Sequence, residues 1–243
     1  MLFVDTFNGT FESENAWAAA RVLKAAGYLL HTVEKNEGRR GGHHCCGRTY
    51  LASGMVDEAK AKAGALVAAL HPFAAAGIAV VGLEPSCLLT LRDEALVMGL
   101  GEPAKTVGAQ ALLFEEFIAR ETKAGRFELE LKSADAPILL HGHCHQKAFG
   151  AVTPILDVLR MIPGAKPELI ESSCCGMAGS FGYEAQHHAV SMQMAELTLL
   201  PAVRAQPDAI VVADGTSCRH QIADGAQREA VHVALLLERL LVR

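Results

Sequence analysis

Seven cysteines hold most of the chemistry this sequence could perform, and they fall into a register. Cys45-Cys46-Gly47 and Cys174-Cys175-Gly176 are two copies of one tripeptide. Each is followed by one further cysteine at similar distance, with 40 residues between Cys46 and Cys87 and 42 between Cys175 and Cys218. Cys144 precedes the second pair with 29 residues between it and Cys174, and the matching place in the first half is Thr6. All seven thiols therefore belong to a single duplicated pattern.

Adjacent cysteines in a regular strand point to opposite faces. For both sulfurs to reach one target the backbone must turn, and Gly47 and Gly176 permit the turn because glycine takes positive φ at little cost. Soft thiolates converging from several loops suit iron–sulfur clusters or Zn²⁺. Cys144, Cys174, Cys175 and Cys218 supply four sulfurs, enough for either, whereas Cys45, Cys46 and Cys87 supply three, with His43 and His44 nearby. Three blander readings compete: small buried hydrophobes, a disulfide framework, and a redox-active vicinal pair. Lone core thiols do not explain a repeated register, and an odd cysteine count argues against a framework. Metal or cluster binding explains the spacing best.

Positioning such sulfurs requires elements that end where the cysteines begin. Leu2 to Asp5, Tyr28 to Val33 and Ile78 to Leu83 read as strands of the first half, with helices over 14–26 (Trp17, Val22 and Leu23 at helical spacing), 48–76 (interrupted at Pro72), 88–98 and 103–121. A polar loop over 34–42 leads into Cys45, and 127–131 is a weak strand within a charged connector. The second half repeats the order: strands over 138–140, 168–171 and 209–212, helices over 153–161, 183–200 and 228–243. Strands alternating with helices predict an α/β fold of two pseudo-repeated βα units, 1–122 and 134–243, with parallel sheets flanked by helices. The cysteines fall just after strands, where open α/β sheets place ligands.

Composition narrows the class. At 243 residues and 51% hydrophobic content the chain can bury a sizeable core. A net charge of −5 argues against nucleic acid or anionic membranes as partners. No apolar run approaches the ~20 residues of a membrane span, and Met1 to Val4 is too short for a signal peptide. A reducing, cytoplasmic setting is expected, with membrane association only through a partner.

At this point the residues resemble a known family. Cys45-Cys46-Gly47-Arg48-Thr49, Leu83 to Glu94, His141-Gly142-His143-Cys144-His145-Gln146-Lys147, Glu171 to Tyr183 and Ala213 to Gln221 resemble the cysteine-rich (CCG) domain of heterodisulfide reductase. They are also similar to the glycolate oxidase iron–sulfur subunit and, more closely, to the C-terminal part of FAD-linked oxidases of the D-lactate dehydrogenase type. The resemblance covers essentially the whole chain. It implies an iron–sulfur electron-transfer module whose cluster, of 4Fe–4S type, is held by Cys144, Cys174, Cys175 and Cys218. The heterodisulfide reductase motif ends in Cys-x-x-Cys, whereas Cys87 and Cys218 stand alone, so that relative's unusual cluster does not carry over. Thr6 in place of a leading cysteine implies a degenerate first site, without a standard cluster or with a different metal such as zinc. FAD is expected only on a partner, an FAD-linked oxidase domain or subunit, with a ferredoxin-like iron–sulfur module as a second partner. The chain itself lacks a C-x₂-C-x₂-C-x₃-C-P run and a flavin domain, so no side chain is assigned a catalytic role.

Two other function classes stay open: a zinc-stabilised docking module, and a thiol–disulfide reductase using Cys174-Cys175. His141, His143 and His145 surround Cys144 as candidate zinc ligands or N–H donors to sulfur. Arg48, Lys147 and Arg219 are either solvated or compensate cluster charge. The glycine-rich Gly176 to Gly182 lacks a P-loop lysine and reads as backbone wrapping a cluster rather than a phosphate cradle. His187-His188, on a predicted helix, reads mainly as structural.

Overall fold

A computed structural model describes residues 1–33 and 42–242. The chain divides into two compact units, Met1–Phe117 and Ile118–Arg243.

The first unit contains β1 (Leu2–Phe3), α1 (Thr6–Thr10), α2 (Ser13–Ala25), α3 (Arg48–Ala52), α4 (Val56–Ala75), β2 (Val80–Gly82), α5 (Pro85–Arg92), α6 (Glu94–Val97), α7 (Glu102–Gln110) and β3 (Ala111–Leu113). The unit boundary falls within α8 (Phe114–Lys123). The second unit continues with β4 (Ile138–Leu140), α9 (Cys144–Ala148), α10 (Val152–Arg160), β5 (Glu168–Leu169), α11 (His188–Glu196), α12 (Leu199–Ala205), β6 (Ile210–Val212), α13 (Thr216–Ala226), β7 (Ala230–Val231) and α14 (Val233–Leu240).

Every strand pair is parallel, in the orders β1-β2-β3 and β5-β4-β6-β7. The short buried strands Val80–Gly82, Ile138–Leu140 and Ile210–Val212 have the apolar, β-branched character of sheet interiors covered by helices. The second sheet is doubly wound. From β4 the chain moves to one side for β5 and returns past β4 for β6, which makes the gap between β4 and β6 its switch point. In the first sheet Leu2 N–H donates to His31 O at 2.8 Å, so the segment around His31 lies beside β1 as β5 lies beside β4.

Several boundaries differ from the sequence reading. Tyr28 to Val33 is extended but forms no ladder, and Leu29 is exposed. The predicted loop over 34–42 lies outside the described residues except for Gly42. Helix 48–76 breaks at Gly54, which has φ +76°, while Pro72 sits inside α4 without ending it. Helix 103–121 is split because Ala111–Leu113 pairs in register with Val80–Gly82; three apolar residues carry no periodicity that separates strand from helix. Ala230–Val231 likewise leaves the predicted 228–243 helix to join β6. The 183–200 helix begins only at His188 and is interrupted before Leu199. The connector's predicted strand reduces to one bridge between Leu131 and Leu241. Trp17 points outward, and α2 buries Ala18, Ala19, Val22 and Leu23 instead.

Leu139, on the central strand β4, packs with Ile170, Leu199, Val203, Val211 and Ile222 in the core of the second unit, which also contains Cys175 and Cys218. Cutting Leu139 back to alanine leaves a cavity beneath those sulfurs. Leu139→Ala is expected to destabilise the second unit by about 2–5 kcal/mol, read as a lowered urea midpoint.

Candidate metal centre

In the second unit, the switch point is built from two turns that cap each other. After β4, His143 Nδ1 accepts from His145 N–H at 3.1 Å, and Gln146 Oε1 accepts from His143 N–H at 2.9 Å. This reciprocal cap makes Cys144 the first residue of α9. After β6, the buried Asp214 carboxylate accepts from Gln146 Nε2 (3.1 Å) and Val233 N–H (3.0 Å). The Gln146–Asp214 bond ties the end of β4 to the end of β6, and Cys218 follows in the first turn of α13. The turn also needs Gly215, because a Cβ there would stand 2.4 Å from the His143 ring.

The vicinal pair arrives after β5. Gly176 has φ +95°, and a Cβ on it would lie 2.2 Å from Ser191 O. Its N–H donates to Cys174 Sγ at 3.4 Å. Lys147 on α9 donates to the carbonyls of Ser172 (2.5 Å) and Ser173 (2.8 Å), which fastens the Cys174 loop to the helix that carries Cys144.

Four sulfurs meet there. All four are free thiols: Cys144 donates a hydrogen bond to Cys174, and Cys175 donates to Cys174 and Cys218. Cys175 and Cys218 are buried, while Cys144 and Cys174 keep one edge at the surface. Sulfurs this close cannot all ionise unaided. Cys144 and Cys175 are pushed far up by donating to neighbouring sulfurs and by burial. Cys174 is held far down by the hydrogen bonds it receives from Cys144 and Cys175. Cys218 is held down by the hydrogen bond from Cys175, with help from the nearby His141 and His143 rings. A cationic centre would release the two remaining protons and offset much of the thiolate charge, so the donors fit a thiolate-bound metal. A ring nitrogen of the buried His141 and the sulfurs of Cys175 and Cys218 all lie within 4.8 Å of one another.

The first unit repeats the plan with different chemistry. Cys45 donates a hydrogen bond to Cys46, Cys46 to Cys87, and Thr6 to Cys45, so Thr6 takes the place that Cys144 holds in the second unit. Gly47 (φ +87°) is locked as Gly176 is, since a Cβ would meet Ala59 O at 2.4 Å. Where the second unit has His143 and Gly215, the first has the buried carboxyls Asp5 and Glu84. Burial and the charge of Glu84 push Asp5 up to about 6 despite hydrogen bonds from Asn8 and Phe7. For Cys87, the hydrogen bond from Cys46 is outweighed by burial and by the charges of Asp5, Glu84 and Cys45, which push it up to about 12.

Residues 138–223 match the family model described as a cysteine-rich domain, CCG. The second unit therefore carries a CCG cysteine-rich domain. Among curated proteins, the chain is similar to a subunit of anaerobic glycerol-3-phosphate dehydrogenase from Escherichia coli K12, at 27% identity over 222 residues, covering 91% of this chain and 54% of that one. It is also similar to D-2-hydroxyglutarate dehydrogenase of the same organism (31% over 157 residues, 63% of this chain, 14% of that one) and of Pantoea ananatis (27% over 221 residues, 90% and 20%). The chain thus spans about half the length of the glycerol-3-phosphate dehydrogenase relative and a fifth or less of the two D-2-hydroxyglutarate dehydrogenases.

The polar residues around the CCG cysteines sort differently from the sequence reading. Arg219 is buried and donates to Ala213 O and Thr216 Oγ1, bracing the turn rather than facing solvent. Arg48 pairs with Glu94. His187 stacks on Phe181 with ring centroids 4.1 Å apart. Gly176 and Gly182 serve packing, since a Cβ at Gly182 would hit Ser191 Oγ and Met177 Sδ, whereas Gly179 (φ +71°) has open space around it. Asp5, Glu84 and Ser172 went unrecognised, because only their proximity to sulfur marks them and no spacing rule encodes it.

Gly176→Ala must move the Ser191 backbone, whereas Gly150→Ala, at φ +66° with nothing within 4 Å of its Cβ, meets strain alone. Each is expected to lose about 1–3 kcal/mol from the positive φ. Only Gly176→Ala should also lose metal uptake, measured as Co²⁺ bound per chain; equal uptake by both variants would contradict the fit of these donors to a metal.

Proposed function

We propose that this chain is an iron–sulfur electron-transfer module of a flavin-linked dehydrogenase that acts on a 2-hydroxy acid or a related alcohol. Cys144, Cys174, Cys175 and Cys218 would hold the cluster, taken to be of 4Fe–4S type, within a second repeat spanning 134–243. The observation that carries this reading is the meeting of four hydrogen-bonded thiols at one α/β switch point. The CCG match over the same residues supports it, as does similarity to proteins that are named dehydrogenases.

When bound, the cluster supplies one-electron transfer between a flavin and a further acceptor. The chain's own part is to gather the sulfurs, bury two of them, and leave the Cys144–Cys174 edge at the surface facing a partner. FAD would reside on that partner, an oxidase domain or subunit, with a ferredoxin-like module receiving the electron. Among the described residues no helix is long and apolar enough to cross a membrane. A cytoplasmic site of action, with membrane contact only through partners, completes the reading.

The first site favours a different occupant. With three thiols, Thr6 and two buried carboxyls it has one sulfur fewer and more negative charge. A single divalent ion such as zinc, held through Cys45, Cys46 and Cys87, suits that set better than a cluster.

Anaerobic purification and reconstitution is expected to give a brown protein with iron and labile sulfide, and Cys174→Ala is expected to lose both with its EPR signal. A colourless, iron-free chain after reconstitution, or an unchanged signal in Cys174→Ala, would sink the assignment.

A further inference from the structure

The four thiols do not complete the donor set of the second unit. His141 follows β4 directly and is 1% exposed. Its Nδ1 lies 2.9 Å from Ser172 Oγ; the other ring nitrogen, Nε2, is buried without a nitrogen or oxygen partner, and the ring stands against the Cys218 sulfur. One of its ring nitrogens stands within 4.8 Å of the sulfurs of Cys175 and Cys218, and Nε2 is the one Ser172 leaves available. A buried polar atom without a partner is costly, and this one adjoins two thiols already placed for a metal.

The groups around Ser172 suit a tautomer with the proton on Nδ1. The Ser172 hydroxyl donates to Ile170 O at 3.5 Å, and Lys147 Nζ donates into the same hydroxyl oxygen at 3.5 Å. With an ammonium directed at it and Ile170 O within reach of its proton, Ser172 Oγ can accept from His141 Nδ1, and in that tautomer Nε2 presents a lone pair. A hydrogen bond to the far nitrogen that fixes the tautomer is the usual arrangement behind a metal-ligating histidine.

We propose that His141 Nε2 is a metal ligand of this centre, binding beside Cys175 and Cys218 and making the donor set mixed nitrogen and sulfur. Ser172 and Lys147 are its positioning residues. The inference rests on the proposed metal centre at these thiols. A neutral imidazole, where a fifth thiolate would add negative charge, keeps the centre less negative and its reduction potential higher, as histidine does in Rieske centres.

The test begins with the wild-type chain, anaerobically reconstituted with iron and sulfide and labelled with ¹⁵N-histidine. Pulsed EPR of the paramagnetic centre is expected to show a strong, directly bonded nitrogen coupling that changes isotope with the label. The coupling should vanish in His141→Ala, and His141→Cys should lower the midpoint potential. For the apo-chain, Co²⁺ titration is expected to give a mixed nitrogen–sulfur ligand-field spectrum, and Ser172→Ala should weaken Co²⁺ binding about 10–100-fold. If His141→Ala fails to fold, the wild-type coupling and the Ser172→Ala titration still decide. Metal bound with a sulfur-only spectrum, or a coupling that survives His141→Ala, overturns the histidine ligand and leaves the cluster reading standing. A wild-type chain that takes up neither iron nor Co²⁺ overturns both.

Discussion

Crowded sulfur is the constraint to which the second unit is fitted. Thiolates repel, and burial penalises their charge, so four in contact are tolerable only as a proton-sharing set or around a cation. The surrounding structure resists the relaxation that would separate them. Gln146 and Asp214 bind the β4 and β6 ends together, Lys147 pins the loop before Cys174, and Gly176 is wedged against the Ser191 carbonyl. Each clamp acts on backbone or on a neighbouring turn and leaves the sulfurs themselves uncommitted. That division of labour suits a site meant to bind something that every thiol touches.

The two units show one scaffold tuned in opposite electrical directions. Both place a capped turn after the first strand, a glycine with positive φ after the paired cysteines, and a lone cysteine in the first turn of a helix. The second unit surrounds its sulfurs with imidazoles, whereas the first surrounds three with Asp5 and Glu84. Asp5 held up near 6 and Cys87 near 12 are the signature of too much negative charge in one buried place. Loss of one thiol at Thr6 and gain of two carboxyls therefore belong to the same change of site character.

Much of this organisation was legible from residue order alone. The doubled cysteine register, the alternation of apolar runs with helical patterns and the glycine after each pair foretold an α/β duplication with sulfurs beyond strand ends. Local rules reached that far because strand period, helix period and positive φ are properties of short stretches. They failed where a few residues were decided by their partners. Ala111–Leu113 and Ala230–Val231 became strands because a neighbouring strand offered its edge, and Trp17 faced out because alanines already filled the core side of α2.

Residue types and spacing thus determined which soft donors the chain can offer: four thiols in one half and three in the other. Only tertiary structure decided which other groups stand among those sulfurs. The exchange of His143 for Asp5, the empty nitrogen of His141 and the service of Arg219 as a brace all depend on side chains brought together from separate strand ends. Sequence separation contains no record of those distances; they exist only once parallel strands are laid side by side and their C-terminal turns are forced into one crevice.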